Sequence, residues 1–296
     1  MLRRIRALLE NQNLRNHPVR GISRRVVWHV RWCLHPREPW LVLTQDSTRI
    51  LSLRGGAGAL LYYDGVSEPE VTEFIKHVLR PGMVFVDVGA HLGEHTLLAA
   101  KILEHSGHVH AFEPRPDIFE VLTQSIELNH RHNVTAVPKA VWCKTDSCDF
   151  EMTEEPSVSA LRPNHSSNRG SKQVRVFTTT LDDYFFSSTP IPNLIKVDVE
   201  GAELQVFQGA KSLLTLSQAD APALIFEYGP RNSQQFGYAA LDAVTFLREL
   251  GYTIFTWAEG NLARVEGSPT LPTRRETCNL MAMKVGPLAL QDSMAR

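Results

Sequence analysis

The sequence predicts a Rossmann-like α/β fold from residue 61 onward, on the basis of three observations. Short apolar segments alternate with amphipathic helical segments, and this order builds a mostly parallel sheet with helices on both faces. A glycine-containing turn follows the first of these apolar segments. Each central strand ends in an acidic residue. In such a fold the carboxyl ends of the strands form the ligand-binding edge, so we expect the functional site there.

The elements follow in a regular order along the chain. The apolar residues of 71–79 have helical spacing, and Pro81-Gly82 ends this helix. Short apolar runs predict strands over residues 83–88, 108–112, 134–141, 193–199, 222–227, 252–257 and 278–284. Helical patterns fill most of the intervals between them. Residues 143–175 are polar and predict a loop with a hairpin near 147–152, and part of this loop could cover a site.

Residues 1–60 differ from the rest of the chain in charge and pattern. The first 35 residues contain eight arginines and one acid, a charge of +7 in a chain whose net charge is −1. We therefore predict two regions: a basic N-terminal segment with a short β-rich lead-in over 1–60, and the main domain over 61–296. The lead-in has two short strands, at 40–44 and 48–53, followed by an irregular Gly-Gly-Ala-Gly stretch. The basic segment either contacts an anionic membrane or forms a solvated helix packed on the domain.

Several classes of protein are excluded or disfavoured by the sequence. It contains no run of 18 apolar residues and no secretory signal pattern, so we expect a cytoplasmic protein with at most peripheral membrane association. The phosphate-binding pattern G-x-x-x-x-G-K-[ST] is absent, which excludes a P-loop nucleoside triphosphatase. We predict no nucleic-acid partner, and the sequence does not indicate an oligomeric state.

Acidic residues cluster at one predicted edge of the sheet. The five that end the central strands are Asp87, Glu113, Asp198, Glu200 and Glu227. One acid after a strand often caps the next helix, but five at one edge would repel one another unless cations or hydrogen-bond donors lay among them. The cluster therefore predicts a ligand with donor or cationic groups.

The turn after the first strand indicates what kind of ligand this is. Gly89 and Gly93 allow the backbone to approach a ligand before the next helix begins, and Glu113 stands where an acid accepts hydrogen bonds from a ribose diol. Dinucleotides and ATP carry phosphates, which favour basic groups over carboxylates. S-adenosylmethionine has a ribose, an ammonium group and a sulfonium but no phosphate. The charge of the site favours this methyl donor.

At this point the sequence resembles the FkbM family of methyltransferases. The motifs that carry the resemblance are GVSEP at 65–69, GMVFVDVGAHLG at 82–93, FEP at 112–114, TTLDD at 179–183, LIKVDVEGAE at 194–203 and NL at 279–280. The family pattern often has Asn where His91 stands and an aromatic residue where His95 stands. The resemblance implies a class I methyltransferase fold, with a seven-stranded, mostly parallel sheet and an antiparallel last strand. It also implies transfer of a methyl group from S-adenosylmethionine to a hydroxyl of a sugar, glycolipid or natural product.

The motif positions imply roles for individual residues. The implied cofactor-binding residues are Glu68, Asp87, Gly89, Ala90, Gly93, Thr96, Glu113 and Asp198. The catalytic candidates are Asp198 and Glu200, as general base or acceptor-orienting group, with Glu227 third. These three acids are also hard oxygen ligands that suit Mg²⁺, although we predict no metal.

Two other functions remain open from the sequence. A nicotinamide-dependent oxidoreductase shares the glycine turn and the distal acid, and a non-catalytic module could bind a membrane or partner through residues 1–35. We expect the acceptor to be a glycan or another small molecule.

Overall fold

A computed structural model of the chain describes residues 17–152, 160–161, 172–186, 190–258, 260–271 and 276–285. All the predicted site residues lie within these ranges. Residues 1–16 of the basic segment lie outside them, as do residues 153–159 and 162–171 of the predicted covering loop.

The described helices and strands alternate through most of the chain. The helices are α1 (Pro18–Leu34), α2 (Gly56–Asp64), α3 (Pro69–Val78), α4 (Glu94–Leu103), α5 (Pro116–Leu128), α6 (Leu181–Phe185), α7 (Glu203–Gln208), α8 (Lys211–Leu214), α9 (Pro230–Gln234) and α10 (Ala240–Glu249). The strands are β1 (Trp40–Leu43), β2 (Arg49–Ser52), β3 (Val84–Val88), β4 (His108–Phe112), β5 (Val134–Val137), β6 (Ala140–Val141), β7 (Ser147–Met152), β8 (Ala160–Leu161), β9 (Lys172–Thr179), β10 (Leu194–Val197), β11 (Ala223–Tyr228), β12 (Thr253–Ala258), β13 (Asn261–Arg264) and β14 (Cys278–Met283).

The main sheet confirms the predicted fold class. Its strands lie in the order β13-β12-β14-β11-β10-β3-β4-β5. The five strands from β11 to β5 are parallel, and the last strand, β14, is antiparallel to both of its neighbours. These strands and β12 make up the expected seven. The eighth, β13, forms an edge hairpin with β12 that the sequence pattern did not predict.

The main sheet is buried on both faces. Every residue of β3 and of β10 is buried, as a parallel sheet covered by helices requires. Large apolar clusters cover the two faces, one centred on Phe207 and Phe226 and the other on Phe74 and Phe85. These packed faces hold the carboxyl ends of β3, β4, β10 and β11 in fixed positions at one edge.

A second, smaller sheet corrects the prediction for residues 134–175. The predicted strand at 134–141 divides at Pro138: β5 joins the main sheet, and β6 pairs with β9. Proline has no N–H to continue a ladder, so a break there is physically reasonable. The predicted hairpin strand is present as β7, but its partner β9 begins at Lys172, inside the region predicted as loop.

The Gly-Gly-Ala-Gly stretch also differs from its prediction. It begins helix α2, and Gly58 lies inside this helix. A Cβ atom at Gly58 would stand 2.1 Å from the Ser52 hydroxyl and 2.6 Å from the Leu53 carbonyl oxygen. Glycine therefore allows α2 to pack closely against the end of β2. The sequence pattern shows only the low helix propensity of glycine, and tertiary packing overrides it.

Candidate active site

A cavity of about 300 Å³ opens at the carboxyl ends of the central parallel strands. Seven of the predicted site residues line it: Glu68, Gly89, Ala90, Glu113, Asp198, Glu200 and Glu227. The structure therefore brings most of the predicted set together around one space. Ala57, Leu60 and Leu61 of α2 also line this cavity, so the lead-in contributes to its wall.

The glycine turn after β3 shapes one side of the cavity. Gly89 and His91 have φ angles of 81° and 49°, and the N–H groups of Gly89 and Ala90 both donate to the carbonyl oxygen of Phe112 at 3.0 Å. A Cβ atom on Gly89 would lie 1.9 Å from the carbonyl oxygen of Asp198. Glycine is therefore required at position 89 by the approach of two strand ends.

Backbone hydrogen bonds hold the Glu113 carboxylate at one end of the cavity. The N–H of His91 donates to Oε2 at 3.0 Å, and the N–H of Arg115 donates to Oε1 at 2.9 Å. Burial raises the pKa of Glu113 to about 7, although these two bonds oppose the shift. Each oxygen keeps acceptor capacity for a ligand in the cavity. The geometry suits two neighbouring hydroxyl groups.

A buried lysine stands among the acids and was not predicted as a site residue. Lys196, at 3% exposure, donates to Oδ2 of Asp198 at 2.9 Å and lies 4.0 Å from Oδ1 of Asp87. Burial alone would lower the pKa of Lys196, but the charges of Asp198, Asp87 and Glu68 raise it overall. Lys196 therefore stays charged and offsets part of the repulsion at this edge. It belongs to the motif at 194–203, but nothing in the pattern showed which way it points.

Three of the predicted cofactor residues lie behind the cavity wall. The Thr96 hydroxyl donates to Oδ2 of Asp87 at 2.6 Å, and both residues are buried. Gly93 has a φ of 88° at the start of α4, where a Cβ atom would stand 2.6 Å from Leu122. The structure thus places Asp87, Thr96 and Gly93 where they hold Lys196 and the turn, rather than on the cavity surface.

Glu68 enters the cavity from the residue before α3. The amide of Asn279, on β14, donates to Oε1 of Glu68 at 2.7 Å. Nδ1 of His95 lies 4.0 Å from Oε2. Burial raises the pKa of Glu68 to about 7, and the nearby Lys196 opposes this shift. Burial also lowers the pKa of His95 well below its usual value, so the imidazole beside Glu68 is neutral.

The far end of the cavity contains a pair of acids, Glu200 and Glu227, that share one amide. Nδ2 of Asn232 donates to Oε2 of Glu200 at 3.0 Å and to Oε2 of Glu227 at 3.2 Å. Burial first, and the charges of Asp198 and Glu227 next, raise the pKa of Glu200 to about 9. Burial and Asp198 raise the pKa of Glu227 to about 7. Because both pKa values are raised, at least one of the two acids carries a proton near neutral pH.

The backbone around this acid pair is unusual. Glu200 has a φ of 55°, which non-glycine residues rarely adopt, and Gly201 follows with a φ of 104°. A Cβ atom on Gly201 would lie 2.4 Å from the carbonyl carbon of Asn232. The start of α9 is therefore pressed against residues 200–201, and this contact aims the Asn232 amide at both acids. No sequence motif indicated Asn232.

The arrangement of acids does not resemble a metal centre. Within the ranges that the structure describes, no group of three His, Cys, Asp or Glu side chains is placed to hold a metal ion. Lys196 and Asn232 occupy the hydrogen-bonding positions beside the predicted oxygen ligands.

Comparison with known proteins decides the family. The sequence profile of the methyltransferase FkbM domain matches residues 87–254, more than half of the chain. The chain belongs to the FkbM methyltransferase family. This match includes the glycine turn, Glu113 and the acids at the ends of β10 and β11. It favours the predicted methyltransferase over the oxidoreductase and the non-catalytic module.

One curated relative of this FkbM chain is the hexuronic acid methyltransferase AglP of Haloferax volcanii. The two are 34% identical over 149 residues, which cover 50% of this chain and 58% of AglP. The chain thus spans less than two thirds of the length of this relative.

Solved structures show similarity at lower identity. The FkbM methyltransferase of Methylobacillus flagellatus is 17% identical with a TM-score of 0.44, over 76% of this chain and 54% of that one. A SAM-dependent O-methyltransferase of Thermotoga maritima is 11% identical with a TM-score of 0.42, over 84% of this chain and 78% of that one.

Proposed function

We propose that the protein is an S-adenosylmethionine-dependent O-methyltransferase whose acceptor is a sugar hydroxyl. The observation that carries the proposal is the division of one cavity into two ends. At one end Glu113 is fixed by backbone N–H groups, and at the other Glu200 and Glu227 accept hydrogen bonds from the same Asn232 amide. The first end suits a ribose diol and the second suits proton transfer from an alcohol.

The residues present fit S-adenosylmethionine by their chemistry. Glu113 would accept hydrogen bonds from the two ribose hydroxyls, since its backbone partners fix both carboxylate oxygens in position. Glu68 and Asp198 line the same cavity near Lys196, and their carboxylates suit an ammonium group and a sulfonium. When bound, the cofactor supplies a methyl group on positively charged sulfur for in-line displacement.

The acid pair supplies the base. An alcohol is a weak nucleophile at neutral pH, so its attack benefits from a carboxylate that accepts its proton. Glu227, with a pKa of about 7, is substantially ionised near neutral pH, whereas Glu200, with a pKa of about 9, keeps its proton. Glu227 accepts the hydroxyl proton on a carboxylate oxygen, and protonated Glu200 donates to the acceptor and orients it. Glu227, the third candidate from the sequence, thus becomes the proposed base, and Glu200 keeps the acceptor-orienting role that the sequence offered it.

The proposed sugar acceptor is supported by the relative from Haloferax volcanii, which is named for methyl transfer to hexuronic acid. A sugar offers several hydroxyls at fixed geometry, which a cavity lined with carboxylates recognises by accepting hydrogen bonds. We extend the proposal to glycans that contain a hexuronic acid, free or attached to a lipid.

The test is methyl transfer by the purified chain. Methyl-labelled S-adenosylmethionine is incubated with oligosaccharides that contain or lack hexuronic acid, and the label is located by NMR. We expect the label in a methyl ether, which survives mild alkali. A methyl ester on the uronic carboxylate would be hydrolysed by the same treatment. The Glu227→Gln variant is the matched control and should leave the acceptor unlabelled. Release of label only by alkali would contradict the O-methyl ether, and tight binding of NAD without S-adenosylmethionine would contradict methyl transfer.

A further inference from the structure

Helix α1 has one face packed into the protein and one face exposed. Its inner face carries Trp28 and Trp32, which are 5% and 3% exposed. Trp28 stacks on Trp40 and Tyr62 at ring-centroid distances of 5.8 and 5.6 Å. This aromatic packing ties α1 to β1 and α2, so the orientation of the helix is set by the fold.

The opposite, outer face of α1 is apolar and open to solvent. It consists of five residues at intervals of three or four positions: Val19, Ile22, Val26, Val30 and Leu34. All five are at least half exposed, from 50% at Val30 to 82% at Val19. A 17-residue helix is about 25 Å long, so this is an extended apolar strip. Single exposed apolar side chains are common, but a continuous strip is typical of an interaction surface.

The charge around the strip indicates the kind of partner. Residues 17–37 contain five arginines and no acid. Arg24 and Arg25 stack over Tyr62 and Tyr63 at 4.8 and 4.6 Å, which fixes them along the helix. Two copies of this helix joined face to face would bring like charges together, which opposes self-association. An anionic lipid surface complements both the apolar strip and its basic border.

We propose that the outer face of α1 docks the protein on an anionic lipid bilayer. The helix lies in the plane of the interface with its apolar strip among the acyl chains and its arginines at the headgroups. Among the described residues no helix is long and apolar enough to cross a membrane. Ala57 and Leu61 of α2 line the active-site cavity while α2 packs beside α1, so docking holds the cavity close to the bilayer surface.

The test is sedimentation of the full chain with lipid vesicles, without cofactor or acceptor. It therefore gives its result whether or not the proposed methyl transfer is correct. We expect binding to phosphatidylglycerol-containing vesicles, weaker binding to pure phosphatidylcholine and a loss of binding at high salt. The double variant Val26→Asp/Val30→Asp, at exposed positions, should bind at least about tenfold more weakly.

The matched control is Phe177→Asp/Ile191→Asp, which adds the same charge at exposed apolar positions away from α1. It should bind vesicles like the unaltered chain, and melting temperatures should show that both variants fold. Equal binding by the α1 variant and the control, or no binding to anionic vesicles, would overturn the proposal. A concentration-dependent dimer in analytical ultracentrifugation that the α1 variant abolishes, without vesicle binding, would assign the face to a second copy instead.

Discussion

The two ends of the cavity stabilise their carboxylates by different means. At the first end, Glu113 receives two backbone N–H groups, whose positions are set by the turn after β3 and the start of α5. At the second end, Glu200 and Glu227 both accept hydrogen bonds from the side-chain amide of Asn232, and the charge of Glu227 raises the pKa of Glu200. A backbone-fixed carboxylate suits binding, and a pair of acids with raised pKa values suits proton transfer.

Under the proposed function, this difference would assign binding to one end of the cavity and proton transfer to the other. Both ends are buried, and burial is the largest cause of the raised pKa of each acid. The two ends differ in the next-largest influence on the pKa. Backbone hydrogen bonds lower the pKa of Glu113, whereas neighbouring negative charge raises the pKa of Glu200 and Glu227 further. Changes at the first end should therefore alter cofactor affinity, and changes at the second should alter the rate.

The largest expected effect is at Glu227. In the Glu227→Gln variant the amide cannot accept a proton, so kcat should fall by about 10²- to 10⁴-fold. Binding of S-adenosylhomocysteine, measured by calorimetry, should be unchanged. The control Glu276→Gln removes an exposed acid that pairs with Arg231 and should keep full activity. A large loss of cofactor affinity in Glu227→Gln would show that the two ends are not separate.

The second effect is at Glu113. Glu113→Gln would remove the charge-assisted contact that we propose with the ribose, so cofactor affinity should fall by about 10- to 100-fold. With a pKa of about 7, Glu113 loses its charge as the pH falls, so affinity of the unaltered protein should drop between about pH 8 and pH 6. The variant should lack this pH dependence. Glu120→Gln, on the exposed side of α5, is the control. If cofactor affinity still depended on pH in Glu113→Gln, another group would be responsible for that dependence.

The third effect is at Asn232, a positioning residue. Its amide lowers the pKa of Glu227, so Asn232→Ala should raise that pKa and move the acid limb of the pH–rate profile to higher pH. Near pH 7 we expect a loss of about tenfold in kcat that is partly recovered at higher pH. Arg231→Ala, at an exposed neighbouring position, should not move the profile. An equal loss at every pH would indicate only a structural role.

The smallest effect concerns stability at Glu203, beside the acid pair. Burial raises the pKa of Glu203 to about 8 in the folded protein. The folded state then binds more protons than the unfolded state between about pH 4.5 and 8, so stability falls as the pH rises through this window. In Glu203→Gln, stability should fall less steeply as the pH rises through this window. Each kcal/mol of unfolding free energy that the variant retains should raise its melting temperature by roughly 2–4 °C relative to the unaltered protein. Glu68, Glu113, Glu200 and Glu227 also have raised pKa values, so some fall remains in the variant. A fall as steep as that of the unaltered protein would contradict the prediction for Glu203.

The sequence by itself determined the alternation of strands and helices, the edge at which the acids gather and the family. Short, mostly apolar runs such as 84–88 and 194–197 are local patterns, and the acids at or just beyond their ends share an edge because parallel strands end together. The motifs around Gly89 and Glu113 are also local, because a turn and the acid beyond the next strand suffice to indicate a ribose site.

Only the tertiary structure decided the partners of these acids. Lys196 stands in a buried strand, and the sequence does not show that its amine reaches Asp87 and Asp198. Asn232 reaches Glu200 because Gly201 lets α9 approach, a contact between segments that are 31 residues apart (232 − 201). Helix α2 forms against its weak propensity because Gly58 fits against β2. Hydrogen bonds, burial and raised pKa values depend on distances between remote segments, and no local pattern encodes those distances.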